Sequence, residues 1–171
     1  MRRHDKEVLE HDQIMKVLEQ CRTISYAMHD GDYPYVTTMN FGFADKPDGL
    51  KLFFHGAKEG KTPDLLRRNN KVGFMIYRDL GEVIGKTVCT SDTIFESVRG
   101  YGDVHFLEDP AEVDEALRAV IRQSGDLRMD EFHPECFSSR LAVYRLDVKE
   151  YTCKVARRDA IGVPFEKPTA N

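Results

Sequence analysis

The chain has 171 residues, a formal net charge of −4, and 41% hydrophobic and 32% charged residues. That length fits a single domain with a real core. The negative balance excludes the positive surface field that non-specific nucleic-acid binding requires. No apolar run approaches the length of a membrane span, and Met1–Glu7 is charged without the apolar segment of a secretory signal, so the expected location is cytoplasmic. The four cysteines, Cys21, Cys89, Cys136 and Cys153, form no C-x-x-C pair and read as free thiols of a reducing compartment. His133-x-x-Cys136 offers only half of a zinc ligand set, so no metal is expected.

In chain order, Asp12–Cys21 carries Ile14, Val17, Leu18 and Cys21 at the spacing of one helical face, with Asp12 as the expected N-cap. Thr23–Met28 and Tyr33–Phe43 read as strands joined at Asp30-Gly31-Asp32. Thr37, Thr38 and Asn40 put polar groups on both faces of the second, which marks an edge or the lining of a polar site. Pro47-Asp48-Gly49 is a turn, followed by the strand Leu50–Phe54. A short helix is expected over Pro63–Asn69, a strand over Val72–Tyr77 and a loop over Asp79–Gly85. Further strands are expected over Thr87–Thr90 and Ile94–Phe106, the latter interrupted by Gly100 and Gly102 as at a bulge or close backbone approach. Asp109-Pro110-Ala111-Glu112 starts a helix whose apolar face is Val113, Ala116, Leu117, Val120 and Ile121. His133–Ser139 suggests a short helix, Leu141–Lys154 a last strand, and residues 160–171 a loose tail after a single domain of residues 1–159. Six or seven strands with hairpin-length connections and three helices are no βαβ rhythm. A mainly antiparallel barrel with flanking helices fits them.

The richest stretch is Leu52–Lys61, an apolar strand running into a loop with His55, two glycines and two lysines. Thr62-Pro63-Asp64 then reads as a helix start. Backbone N–H groups of such a loop, with a lysine, can hold a phosphate; the same residues also suit an ordinary strand-to-helix connection. The spacing from Gly56 to Gly60-Lys61-Thr62 is one residue short of a Walker loop.

Three motifs carry a resemblance to a known family. Tyr33-Pro34-Tyr35-Val36-Thr37-Thr38-Met39-Asn40-Phe41-Gly42 resembles P-Y-V-V-P-L-N-F-G-Y. Leu52-Phe53-Phe54-His55-Gly56-Ala57 with Gly60-Lys61 resembles a phosphate loop. Phe95-Glu96-Ser97-Val98-Arg99-Gly100-Tyr101-Gly102 resembles Y-R-S-V-x-x-x-G. In this order they resemble the pyridoxamine 5'-phosphate oxidase-like flavoproteins of the FMN-binding split-barrel fold, in the nitroimidazole-resistance branch. Thr38 departs from a usual proline and Glu96 from a common basic residue.

The resemblance implies a homodimer with FMN at the subunit interface and a small-molecule substrate. It implies that Val36, Thr37, Thr38, Met39 and Asn40 line the flavin. Phe54, His55 and Ala57 would contact it, Gly60 and Lys61 would hold its phosphate, and Ser97, Val98 and Lys154 would complete the site. His55 would sit beside the cofactor and face substrate as the catalytic residue; otherwise it is a satisfied core histidine. Ser97 and Val98 equally suit plain strand positions, and Lys154 a solvated one.

An FMN-dependent oxidoreductase acting on a nitro-aromatic or another flavin is the expected function. A non-catalytic flavin or haem carrier, with His55 or His105 as axial ligand, is the alternative. True pyridoxamine-phosphate oxidation is disfavoured, because Arg157-Arg158 only faintly resembles that oxidase's C-terminal arginine motif.

Overall fold

A computed structural model describes residues 6–125 and 141–156. Its elements are β1 (Glu7–Val8), α1 (His11–Gln20), β2 (Thr23–Asp30), β3 (Tyr33–Asn40), β4 (Gly42–Lys46), β5 (Gly49–Ala57), α2 (Lys61–Arg68), β6 (Lys71–Val83), β7 (Asp92–Leu107), α3 (Pro110–Ser124) and β8 (Leu141–Ala156). All strand pairs are antiparallel, in the order β3-β2-β6-β7-β8-β5-β4, with β1 added to β8. A mainly β architecture with flanking helices is thus what the chain adopts, and it is a split barrel. The expected helix at His133–Ser139 and the tail lie outside the described residues.

The barrel nearly closes because β3 runs through the single residue Phe41 into β4, which pairs with the first half of β5. Beyond Phe53 that ladder stops. No ladder joins the end of β5 to β3 among the described residues, although a Cβ on Gly56 would lie 3.9 Å from Met39 Cε. The split is this seam.

Tyr26, Phe54 and Tyr144 fill the interior, with ring centroids 4.9 and 5.4 Å apart. Ile14, Val17 and Leu18 of α1 and Leu65 and Leu66 of α2 join the same core. The two helices plug opposite mouths. Arg67 of α2 lies over the Phe106 ring at one end of β7, and Gln20 of α1 accepts from Arg78 beside Glu96 at the other. A second cluster, including Phe53, Leu107, Leu117 and Val143, packs α3 on the outside. The buried Gln123 amide donates to Leu18 O and Cys21 O, each at 2.6 Å, satisfying carbonyls at the end of α1. Among the described residues no helix is long and apolar enough to cross a membrane.

Several local expectations are corrected. The strand expected over Leu50–Phe54 continues to Ala57, because His55, Gly56 and Ala57 pair with Val143, Ala142 and Leu141; they are strand, not loop. α2 begins earlier than Thr62. Gly60, at φ 120°, is its N-cap and its carbonyl accepts Asp64 N at 3.2 Å, which leaves Pro63 inside the first turn. Glu10, not Asp12, precedes α1, without a side-chain cap. Asp79–Gly85 is mostly strand: Asp79 Oδ1 accepts Gly81 N at 2.8 Å and turns a potential break into a bulge. At Thr87–Thr90 the β-branched residues suggest strand, but reciprocal Thr87–Thr90 hydrogen bonds form a 3-10 turn over Val88–Thr90. The α3 start is as expected, with Asp109 accepting from Ala111 N and Glu112 N.

Gly42 lies so close to α3 that a Cβ would stand 2.2 Å from the Ala119 carbonyl carbon. Gly42→Ala is expected to cost about 2 kcal/mol or more through overpacking against backbone. Gly31→Ala, at φ 68° in open space, is expected to cost about 1 kcal/mol. Urea denaturation of the two variants tests the order.

Candidate functional site

Alternation along β3 sends Tyr35, Thr37 and Met39 toward the seam and interior, and Val36, Thr38 and Asn40 outward. Among the described residues β3 pairs only with β2. Every second residue therefore presents its N–H and C=O at a free edge, away from β2 and toward the seam. Met39 Sδ accepts a hydrogen bond from Tyr26 Oη at 3.6 Å, and Thr38 shares one with Ser25 at 2.8 Å on the outer face.

Across the seam stand His55 and Ala57 of β5. His55 points away from the interior, on the same face as Phe53, opposite Val143 in register. Burial holds its imidazole below the ordinary value of 6.5. Phe54 points the other way, fully buried in the aromatic core, so its side chain is a packing element behind the site.

Gly60 and Lys61 close the seam at its Tyr33 end. The Lys61 ammonium lies 2.6 Å from Asp30 Oδ2 and 4.8 Å from the Tyr35 ring centroid. Lys61 N and Thr62 N occupy the first positions of α2 and have no intrahelical acceptor. A Cβ on Gly60 would meet nothing within 4 Å. Arg67 braces the loop by donating to Lys58 O at 3.3 Å. Free backbone donors, a dipole end and a half-exposed lysine are the components from which an anion site is built. The adjoining strand edge offers donors and acceptors to a flat polar ligand, so these residues fit a flavin with a terminal phosphate.

The remaining expected residues stand elsewhere. Ser97 pairs with Tyr77 and Lys154, and its neighbour Val98 is a core residue. Val143, the partner of His55, and Lys154 are eleven positions apart on β8, roughly 36 Å of strand. Within one protomer the seam residues and the Ser97–Lys154 pair are therefore separate groups. Glu96 points inward and its carboxylate meets Arg78 at 2.7 Å, so its charge is balanced beneath the sheet and does not face the Ser97 side. Sequence reasoning missed Asp30 and Tyr35 as partners of Lys61. Tyr35 lay within the first motif, whereas Asp30 carried only a turn signal.

The His55 imidazole is neutral in folded and unfolded chains well above 6.5. As pH falls through 6.5 the unfolded chain takes up the proton first, so this group's contribution to stability falls until the lower folded value is also passed. A proton NMR titration of His55 is expected to give a pKa below 6.5, and His55→Gln to flatten the acid side of the stability profile just below that value.

Comparison with known proteins identifies the family of the chain. Residues 10–155 match the family model described as pyridoxamine 5'-phosphate oxidase. Among curated proteins, none matches. Similar solved structures include a candidate 5-nitroimidazole antibiotic resistance protein from Bacteroides thetaiotaomicron, 27% identical over 87% of this chain and 86% of that one, with a TM-score of 0.68. A FAD and haem binding protein from Mycobacterium smegmatis is 14% identical over 97% and 91%, with a TM-score of 0.75. A flavocytochrome from Azotobacter vinelandii is 18% identical over 100% and 85%, with a TM-score of 0.73. The last two likenesses are of fold alone. The family match spans most of the chain and contains both the free β3 edge and the Lys61 loop; the chain belongs to the pyridoxamine 5'-phosphate oxidase family.

Proposed function

We propose that this chain is an FMN-binding oxidoreductase acting on a small molecule such as a nitro-aromatic or another flavin. The observation that carries the reading is the meeting of an unpaired strand edge with a lysine-bearing helix start across one seam. Lys61 Nζ and the N–H groups of Lys61 and Thr62 hold the phosphate as charge-assisted donors. The backbone of Val36–Asn40 bonds the polar rim of the ring, and FMN when bound supplies the electron transfer. His55, half-buried and kept neutral, faces the substrate as a hydrogen-bond donor or acceptor without a positive charge.

The separation of Ser97 and Lys154 from the seam supports a homodimer, in which the partner subunit brings its own copies of those residues to the site. The outer face offers a surface for that pairing. Val36, Met75, Tyr77 and Tyr101 are 58, 44, 42 and 52% exposed. Three of the four sit around a concavity of about 530 Å³ floored by Gly73 and Gly100. Four exposed apolar side chains on one sheet face mark an interaction surface, and a permanent dimer buries roughly 2,000 Å² or more. The nitroimidazole-resistance neighbour at 27% identity favours the nitro-aromatic class.

FMN is expected to bind at about one per chain, and riboflavin much more weakly. Lys61→Ala should weaken FMN by about tenfold to somewhat over a hundredfold, the worth of one charge-assisted contact. Equal affinities for FMN and riboflavin in a fluorescence titration would sink the phosphate assignment. His55→Ala should retain FMN but slow reoxidation of the reduced protein by a nitro-aromatic, read by stopped-flow absorbance.

Light scattering at micromolar concentration should report a dimer. Met75→Glu, which puts charge at the middle of the exposed face, should shift it toward monomer.

A further inference from the structure

The Lys61 ammonium is already engaged. It lies 2.6 Å from Asp30 Oδ2 and over the Tyr35 ring. Asp30 ends β2 beside the hairpin turn at Gly31, so β2 and β3 deliver the carboxylate and the ring to the same lysine. Three cation-forming groups surround Asp30, namely Lys61, Arg68 and His29, and the Lys61 contact contributes most to holding its carboxyl below the ordinary carboxylate range. Lys61 is half exposed and Asp30 less so.

We infer that Asp30 is the internal counter-anion of the phosphate loop: a ligand phosphate gains Lys61 only by displacing or sharing it with Asp30, so the loop holds its ligand exchangeably. This rests on the reading of Gly60-Lys61 as a phosphate site. An ammonium has three N–H donors and carries one positive charge. The Lys61–Asp30 pair carries no net charge of its own, so a phosphate dianion arriving at Lys61 meets a carboxylate within a few ångströms. The ion pair at this position therefore works against anion binding, although it orients the lysine. The effect is specific for the phosphate end, since Asp30 bonds Lys61 at the loop end of the seam, whereas the ring-binding backbone extends along β3 toward Asn40. The chemistry implied is a flavin that enters and leaves as a diffusible co-substrate.

Asp30→Asn keeps the shape and removes the charge. FMN affinity is expected to rise about tenfold, the variant should retain FMN through a desalting column that strips the wild-type chain, and riboflavin affinity should stay within twofold. In a Lys61→Ala background the gain from Asp30→Asn should be smaller than in the wild-type chain, because only direct carboxylate–phosphate repulsion is left to relieve; the double-mutant cycle isolates the competition for Lys61. Riboflavin binding and the melting temperature report whether each variant is folded, and Asp30→Ser serves as the second variant. If Lys61→Ala weakens FMN but Asp30→Asn leaves it within twofold or weakens it, the counter-anion role is overturned while the phosphate site stands. If wild type binds FMN and riboflavin equally and Lys61→Ala changes neither, the phosphate site itself is overturned, and the counter-anion role with it.

Discussion

The close approach of β7 to β8 is the constraint on which the molecule depends. A Cβ on Gly100 would lie 2.1 Å from Glu150 O, and one on Gly102 2.2 Å from Asp147 O. Between these two glycines the register slips by a bulge. No larger residue fits either position without moving backbone. The two sixteen-residue strands bend here, as bulged strands do, and each serves two parts of the sheet. The start of β8 pairs with β5 and its end with β1, while β7 pairs with β6 along its first part and with β8 along most of its length. An unbent sheet of these strands would carry β3 and β5 to its far sides. At the split, a Cβ on Gly56 would lie 3.9 Å from Met39 Cε.

The seam follows from a shortage of pairing. β4 has five residues and accompanies only the Gly49–Phe53 half of β5. The Phe54–Ala57 half therefore has β8 on one side and no ladder on the other among the described residues. An open edge is a liability for a β protein. Here it carries Pro34, which has no N–H to offer, and outward polar residues at Thr38 and Asn40, the composition expected of an edge that must avoid pairing with strangers. The same openness leaves backbone groups of β3 available at the place where α2 begins. Structure and site share one cause.

Much of this was legible in the sequence. Turn chemistry at Gly31 and Gly49, the Asp109 cap and the interrupting glycines of β7 each state their role through a local steric or hydrogen-bond rule, and each was found in place. The boundaries that moved were decided by non-local pairing. His55–Ala57 looks like loop because a histidine and a glycine end an apolar run, yet β8 supplies partners for all three. Asp30 was opaque for a related reason. A turn aspartate announces only the turn, and its meeting with Lys61, thirty-one positions later, exists only after β2, β3 and α2 have been assembled around the barrel mouth.

Charge placement extends the same logic to chemistry. The interior face of β6 and β7 holds Arg78 and Glu96 as a pair at 2.7 Å, so the one acidic departure from the family pattern in β7 is balanced beneath the sheet. Reversing the side-chain alternation by one residue would have put that carboxylate on the Ser97 face, because period two leaves no intermediate position. On the seam, burial lowers the His55 imidazole below its ordinary value and Lys61 is matched by Asp30. In the proposed reading a planar aromatic ligand lies along the β3 edge, and charge selectivity falls at the loop end, where Asp30 is paired with Lys61 and also feels the Arg68 charge. Recognition of the ring and recognition of the phosphate fall, in that reading, to different atoms: the backbone edge of β3 for the first, and the start of α2 for the second.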